Sequence, residues 1–346
     1  MSAQNFAKLV ALELTLSNDD PAQNPIGTPL RQVAIAAALL LLPTILDRTG
    51  AELGTGGSDA AASQAMSCPV FVGGGTLLGE SSCAWAKASA RWTSLYDTTS
   101  KGGAYRVGGQ AEIGQGWFLG GFLGGGHQTL QGNGAVGSGQ VLEAGLALKR
   151  VLGPWLLAGA ATFMANWNQL DALAAVRIDD VNVSTYAGAL RLRGAYDLAF
   201  TRWYLRPRLD LDVIHRSMPG FQVMSQGATV MSVGGLAKTS FAATPTLEIG
   251  GRHDLAGSGM VVRPYAALGA SFLPDNSATF SVQFAGPLAF LGSYRPVVTG
   301  ASVLANVEAG IQLYRNKGLE MRAGYTLTTG SSYTSQAANL RGAWHF

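Results

Sequence analysis

The stretch 185-TYAGALRLRGAYDLAF-200 changes character at almost every step. Tyr186, Leu190, Leu192, Tyr196 and Leu198 share one face of an extended chain, and Thr185, Arg191, Arg193 and Asp197 share the other, because successive side chains of a strand point to opposite sides. The next segment, 203-WYLRPRLDLDVIHR-216, sets Leu205, Leu209, Leu211 and Val213 against Arg206, Arg208, Asp210 and Asp212. Farther on, 339-NLRGAWHF-346 sets Leu340, Gly342, Trp344 and Phe346 against Asn339, Arg341, Ala343 and His345. Such strands fit a sandwich whose apolar face meets a core, or a barrel whose apolar face meets lipid. Composition has to choose the solvent.

The chain has 346 residues, of which 13% are charged and 46 are glycine, and its mean hydropathy is +0.18. A soluble domain carries about 25% charged residues. Yet there is no run of about 18 apolar residues to make a spanning helix, so hydrophobicity is dealt out every second residue. The net charge of +3 is spread along the chain, which gives nucleic acid no basic patch to bind.

From Ala84 onward, turn residues divide the chain into alternating segments of about ten residues or more, the signal of a membrane-spanning barrel. Strands are expected near 84–97, 104–114, 116–130, 139–152, 154–168, 181–200, 202–216, 239–254, 260–274, 297–314, 318–329 and 333–346. The junctions 114–116, 152–154, 201–202 and 315–318 are tight, whereas 169–180, 217–238 and 275–296 are long. That asymmetry puts the periplasm on the short side. Trp85, Trp92, Tyr96, Trp117, Trp155, Tyr204, Tyr265, Tyr294 and Trp344 sit near strand ends, where aromatics suit the two bilayer interfaces. The expected fold is therefore all-β: a transmembrane antiparallel up-and-down barrel of about 12 strands over 84–346, closed so that lipid meets no unpaired edge.

The first 83 residues read differently. Residues 1–27 hold a short strand-like stretch, 7-AKLVALELTLSND-19, with Leu9, Ala11, Glu13 and Thr15 against Val10, Leu12, Leu14 and Leu16. Residues 28–83 read as a linker with a helix, in or under the pore: Thr28 can cap it, Pro29 suits its first turn and Gly50 can end it. The apolar run Val33–Leu42 is too short to span, and it lies too far from Met1, without a cleavage site behind it, to be a signal peptide. An exported barrel needs such a signal, so the chain is expected to be the carboxyl-terminal part of something longer. Cys68 and Cys83, in 68-CPVFVGGGTLLGESSC-83, are expected to pair in an oxidising periplasm.

Little points to chemistry. His127, His215, His253 and His345 show no metal spacing, there is no G-x-S-x-G, and no glycine run leads into the Lys-Ser/Thr of a phosphate loop. No catalytic residue, metal or cofactor is expected. Glycine runs such as 124–126 are expected to let a helix or passing chain approach the wall. The charges expected to line the lumen are Lys87, Arg106, Glu112, Glu143, Lys149, Arg191, Arg193, Arg206, Arg208, Asp210, Asp212, Glu248, Arg252, Glu308, Glu320, Arg322 and Arg341. Inside a low-dielectric wall they should pair with one another.

Three stretches, in order, resemble the autotransporter translocator domain of Gram-negative outer membranes. 83-CAWAKASARW-92 is similar to its first strand, with Trp85, Ala86 and Lys87 where a Trp-Ala-Arg-like triplet opens the barrel. 104-AYRVGGQAEIGQGWFLGGFLGGG-126 is similar to its second hairpin, and 340-LRGAWHF-346 to its terminal strand. More loosely, 12-LELTLSND-19 and 31-RQVAIAAALL-40 resemble the place where a passenger gives way to a pore helix, although Val33–Leu42 lacks the polar face a polar lumen calls for. The resemblance implies a monomeric barrel in outer-membrane lipid that exports or anchors an N-terminal passenger. It also implies that Leu340, Trp344 and Phe346 signal to the barrel-assembly machinery. A porin-like solute channel is the alternative. A barrel hydrolase would need a Ser/His or Asp/His cluster at one rim.

Overall fold

A computed structural model describes residues 67–346 except 96–97, 133–134, 174–178, 180, 287–288, 290–291, 296, 316 and 332. The strand-like stretch within 1–27 and the helix expected over 28–50 lie outside the described residues. Among those described, twelve long strands form the wall: β1 (Cys83–Leu95), β2 (Thr98–Gly114), β3 (Trp117–Gly132), β4 (Ala135–Leu152), β5 (Trp155–Leu173), β6 (Val181–Tyr196), β7 (Trp203–Met218), β8 (Leu236–Gly251), β9 (Met260–Phe272), β10 (Val303–Tyr314), β11 (Gly318–Gly330) and β12 (Tyr333–His345). Each pairs antiparallel with its neighbours in sequence, and β12 returns to β1 with His345 opposite Cys83. The sheet is a closed barrel.

The period-two pattern sets the orientation of the wall. Leu190 and Leu192 are 60% and 65% exposed on the outside, whereas Arg191 and Arg193 are 8% and 7% exposed inside. A one-residue slip would invert every such pair. Leu209, Leu211, Leu340, Trp344 and Phe346 also point outward. Trp85, Tyr204 and Tyr265, grouped above with the interfacial aromatics, are instead buried in the lumen, because their parity matches that of Lys87, Arg206 and Arg263. Nearness to a strand end does not fix a face.

The tight turns lie together at one mouth. At Gly116, with φ +79°, a Cβ would stand 2.8 Å from the Val151 carbonyl, and Gly153 turns with φ +57°. At the opposite mouth the long connections build structure of their own. Phe221–Ser225, Ala228–Val233, Val282–Phe284 and Ser293–Tyr294 form a four-stranded sheet. The segment expected as one strand over 297–314 is divided: 297–299 pairs with 277–279 in this loop region, and only Val303–Tyr314 joins the wall. β2 starts at Thr98, six residues before the expected 104.

Candidate functional site: the barrel lumen and its short-turn mouth

Alternation on adjacent strands places opposite charges directly across from one another. Arg193 faces Asp210 and Arg191 faces Asp212 in the β6–β7 register. The first pair is bidentate, with Nε–Oδ1 2.6 Å and Nη2–Oδ2 2.7 Å, and the second has 2.6 and 2.9 Å. Arg206 grips Asp197 in the same way, its Nη2 2.8 Å from Oδ2. Arg208 lies 3.8 Å from Glu248 and 3.9 Å from Asp210. Arg322 reaches Glu308 at 3.5 Å and Arg341 reaches Glu320 at 3.2 Å. Lys87 is buried on the same inner face. Taking such charges out of water is costly, and mutual pairing with two-point hydrogen bonds is what makes their burial tolerable.

Arg106 and Glu143 meet without being neighbours. Gly124 of β3 stands opposite both of them, and the side chains close over it, 2.8 and 2.9 Å apart at two points. A Cβ at Gly124 would be 2.8 Å from Arg106 Cγ and 3.0 Å from Glu143 Oε1. Gly124 therefore makes room for the wall's own ion pair; the helix expected to approach this wall lies outside the described residues. Toward the long-loop mouth neutral groups join the lining beside buried Arg216: Gln128 donates to Asn168 at 2.8 Å, and Thr244 and Asn306 both donate to Ser271, at 2.9 and 2.8 Å.

Two expected lumen charges are elsewhere. Glu112, still in register opposite Phe118, is exposed at the rim beside the β2–β3 turn, its carboxylate accepting the Gly116 N–H at 2.9 Å. Arg252 follows the last residue of β8 and pairs with Asp254 at the rim, at 2.9 Å. Conversely, Arg263 was not foreseen and is central: it binds Glu248 at 2.7 Å, the Tyr204 hydroxyl at 2.8 Å and Gln312 at 2.8 Å. Its parity with Tyr265 was the available signal.

A short hairpin, Pro69–Phe71 paired with Leu78–Glu80, lies across the short-turn mouth and is held from around the rim. Gln312 donates to the Pro69 carbonyl at 2.9 Å, and Phe71 N–H donates to the Tyr314 hydroxyl at 2.8 Å. Thr76 donates to the Phe200 and Trp203 carbonyls, and Arg252 to the Gly75 carbonyl at 2.7 Å. Glu80 receives Lys149 at 2.9 Å and Gln110 at 2.7 Å. Burial alone would push the Glu80 carboxyl up. The Lys149 ammonium, with hydrogen bonds from Ser67 and Gln110, overcomes this and holds it at about 2.

Cys68 and Cys83 are bonded to each other and fasten the hairpin to β1. A crosslink closing a loop of this size stabilises by about 3 kcal/mol at most in a chain-entropy account. Next to it, Ser81 Oγ lies 2.5 Å from His345 Nδ1, and His345 Nε2 lies 2.7 Å from Glu320. This is the connectivity of a nucleophile relay. Ser81 Oγ also lies 3.3 Å from the Cys68 carbonyl, which accepts the Ser81 amide N–H at 3.1 Å. Phe346 N–H donates to the Ser82 carbonyl at 3.1 Å, so the contacts tie the hairpin to the terminal strand.

Among curated proteins no sequence matches the chain significantly. Three solved structures share its fold. The beta domain of the Bordetella autotransporter BrkA is 18% identical, with TM-score 0.61, 77% of this chain covered and 100% of that one. The translocator domain of NalP from Neisseria meningitidis is 14% identical, with TM-score 0.58 and coverage of 78% and 89%. The transport unit of AIDA-I from Escherichia coli is 12% identical, with TM-score 0.61 and coverage of 76% and 90%. The family model described as "Autotransporter beta-domain" matches residues 84–326, from the first residues of β1 into β11. With the apolar face outward, the charges inward and the short turns gathered at one mouth, the chain belongs to the autotransporter beta-domain family and is a translocator barrel of the Gram-negative outer membrane, built to export a passenger.

Proposed function

We propose that the passenger is the segment preceding this barrel's own first strand, and that the barrel afterwards stands as a closed, monomeric anchor with no chemistry of its own. The observation that carries this is the hairpin. The residues directly upstream of β1 are seated in the short-turn mouth and bound there by β2, β4, β10 and the turns around it. A solute channel would leave that mouth open. The lumen's paired charges support the same reading, because ions that satisfy each other give a porin no selective field.

Leu340, Trp344 and Phe346 project from the outer face of β12, where the barrel-assembly machinery can reach them before lipid does. Changing Phe346→Ser should lower the yield of heat-modifiable barrel at constant transcript level. The closure is tested by conductance of the full chain in planar bilayers. Quiet membranes are expected for the parent, and larger, frequent openings when residues 69–80 are replaced by a Gly-Ser linker of equal length. A parent that conducts as steadily as the replaced variant would overturn the proposal.

A further inference from the structure

The disulfide is buried under the seam that closes the barrel. Cys68 and Cys83 are 0% and 1% exposed, and β1, which carries Cys83, pairs with β12, the last strand of the chain. From β12, Arg341 places Nη2 2.9 Å from Cys68 Sγ and 3.9 Å from Cys83 Sγ. Trp85, Phe122 and Ala343 pack around the sulfurs, and the Arg341 guanidinium lies over the Trp85 ring, 5.3 Å from its centre. Thiol–disulfide exchange needs a thiolate to approach a sulfur and form a mixed disulfide. With β12 docked, the sulfurs have no exposed surface for it to approach.

We infer that Cys68 and Cys83 are joined before β12 closes onto β1, by a periplasmic protein oxidant that carries a disulfide. One cysteine thiolate attacks the oxidant's disulfide, forming a mixed disulfide and releasing one oxidant thiolate. The second cysteine thiolate then displaces the other. The chain has lost two electrons and two protons, and the oxidant leaves as a dithiol. The stapled hairpin then presents the Ser81 hydroxyl and the Ser82 carbonyl to His345 and to the Phe346 N–H, so oxidation builds part of the surface on which the last strand docks. This rests only on the barrel and its seam, whatever the passenger is.

The test uses the full chain folded into phospholipid vesicles, with heat-modifiability reporting the folded state. Oxidised, folded barrel is exposed to reduced glutathione and sampled by maleimide labelling, alongside the same chain unfolded in urea. Reduction should be at least about 100-fold slower in the folded barrel, since exchange must wait for opening. In a second arm, chain folded while reduced is offered a dithiol oxidase, and its thiols should resist oxidation until the barrel is unfolded. Reduction of folded and unfolded chains at rates within about threefold would overturn the inference, and so would oxidation of the folded, reduced barrel at the unfolded chain's rate. If the reduced chain does not fold, the first arm decides alone.

Discussion

An arginine on the outer face of β6 measures what that face touches. Leu190 is 60% exposed and is the tenth of the sixteen residues from Val181 to Tyr196. With about 3.3 Å per residue and a tilt of about 45°, its Cα lies about 4 Å from the strand's midpoint, and that of Leu192 about 8 Å. The apolar band is about 25 Å tall, and an arginine costs about 2–4 kcal/mol at its middle and about 0–1 at its edges. Leu190→Arg should therefore cost about 2–3 kcal/mol and Leu192→Arg about 1–2. The assay is reversible urea titration of vesicle-folded protein by tryptophan fluorescence, checked by gel shift. If Leu190→Arg lies within about 0.5 kcal/mol of the parent, or if Leu192→Arg costs more than Leu190→Arg, the lipid-facing assignment or the strand register is wrong.

The same titration tests the inner face, where Arg193→Leu removes the bidentate partner of buried Asp210. The loss should be about 3 kcal/mol, at the low end for a broken buried pair, because Arg191 and Arg208 stand 3.8 and 3.9 Å from Asp210. Changing Asp210→Leu as well should recover most of it. Gly124→Ala puts a Cβ 2.7 Å from the Tyr105 carbonyl and 2.8 Å from Arg106 Cγ and should cost about 1–3 kcal/mol. Gly342→Ala meets nothing within 4 Å and should be nearly neutral in the same assay. For Glu80, the folded carboxyl at about 2 lies below its ordinary 4.5. Its contribution to holding the hairpin is thus full above about pH 4.5 and is lost as pH falls toward 2. Hydrogen exchange at the Phe71 amide should accelerate across that window relative to the intrinsic rate, and Glu80→Gln should flatten the response.

The wall was legible because its side-chain period is two and a barrel has only two faces. Leu190 against Arg191 and Leu211 against Asp212 decide the orientation, and antiparallel pairing then carries Arg193 to Asp210. The sequence was silent where the cause is not local. Glu80 belongs to a three-residue strand, too short to show a period, and its partner Lys149 is 69 positions away. Gly124 is small because of side chains on the strands to either side. Glu112 and Arg252 follow the pattern in sequence but lie at the rim, where the strands give way to turns. Trp85 could have been placed correctly from its parity with Lys87. Treating it as an interfacial aromatic ignored that parity.

Export of the upstream segment can be seen directly. An epitope inserted within 1–27, upstream of the linker expected in or under the pore, would be followed in intact cells with protease added outside. The expected result is that antibody binds the epitope at the surface and protease removes it, while the barrel from β1 to β12 stays in the membrane and remains heat-modifiable. An epitope that is reached only after the outer membrane is opened, with the barrel folded normally, would contradict the account.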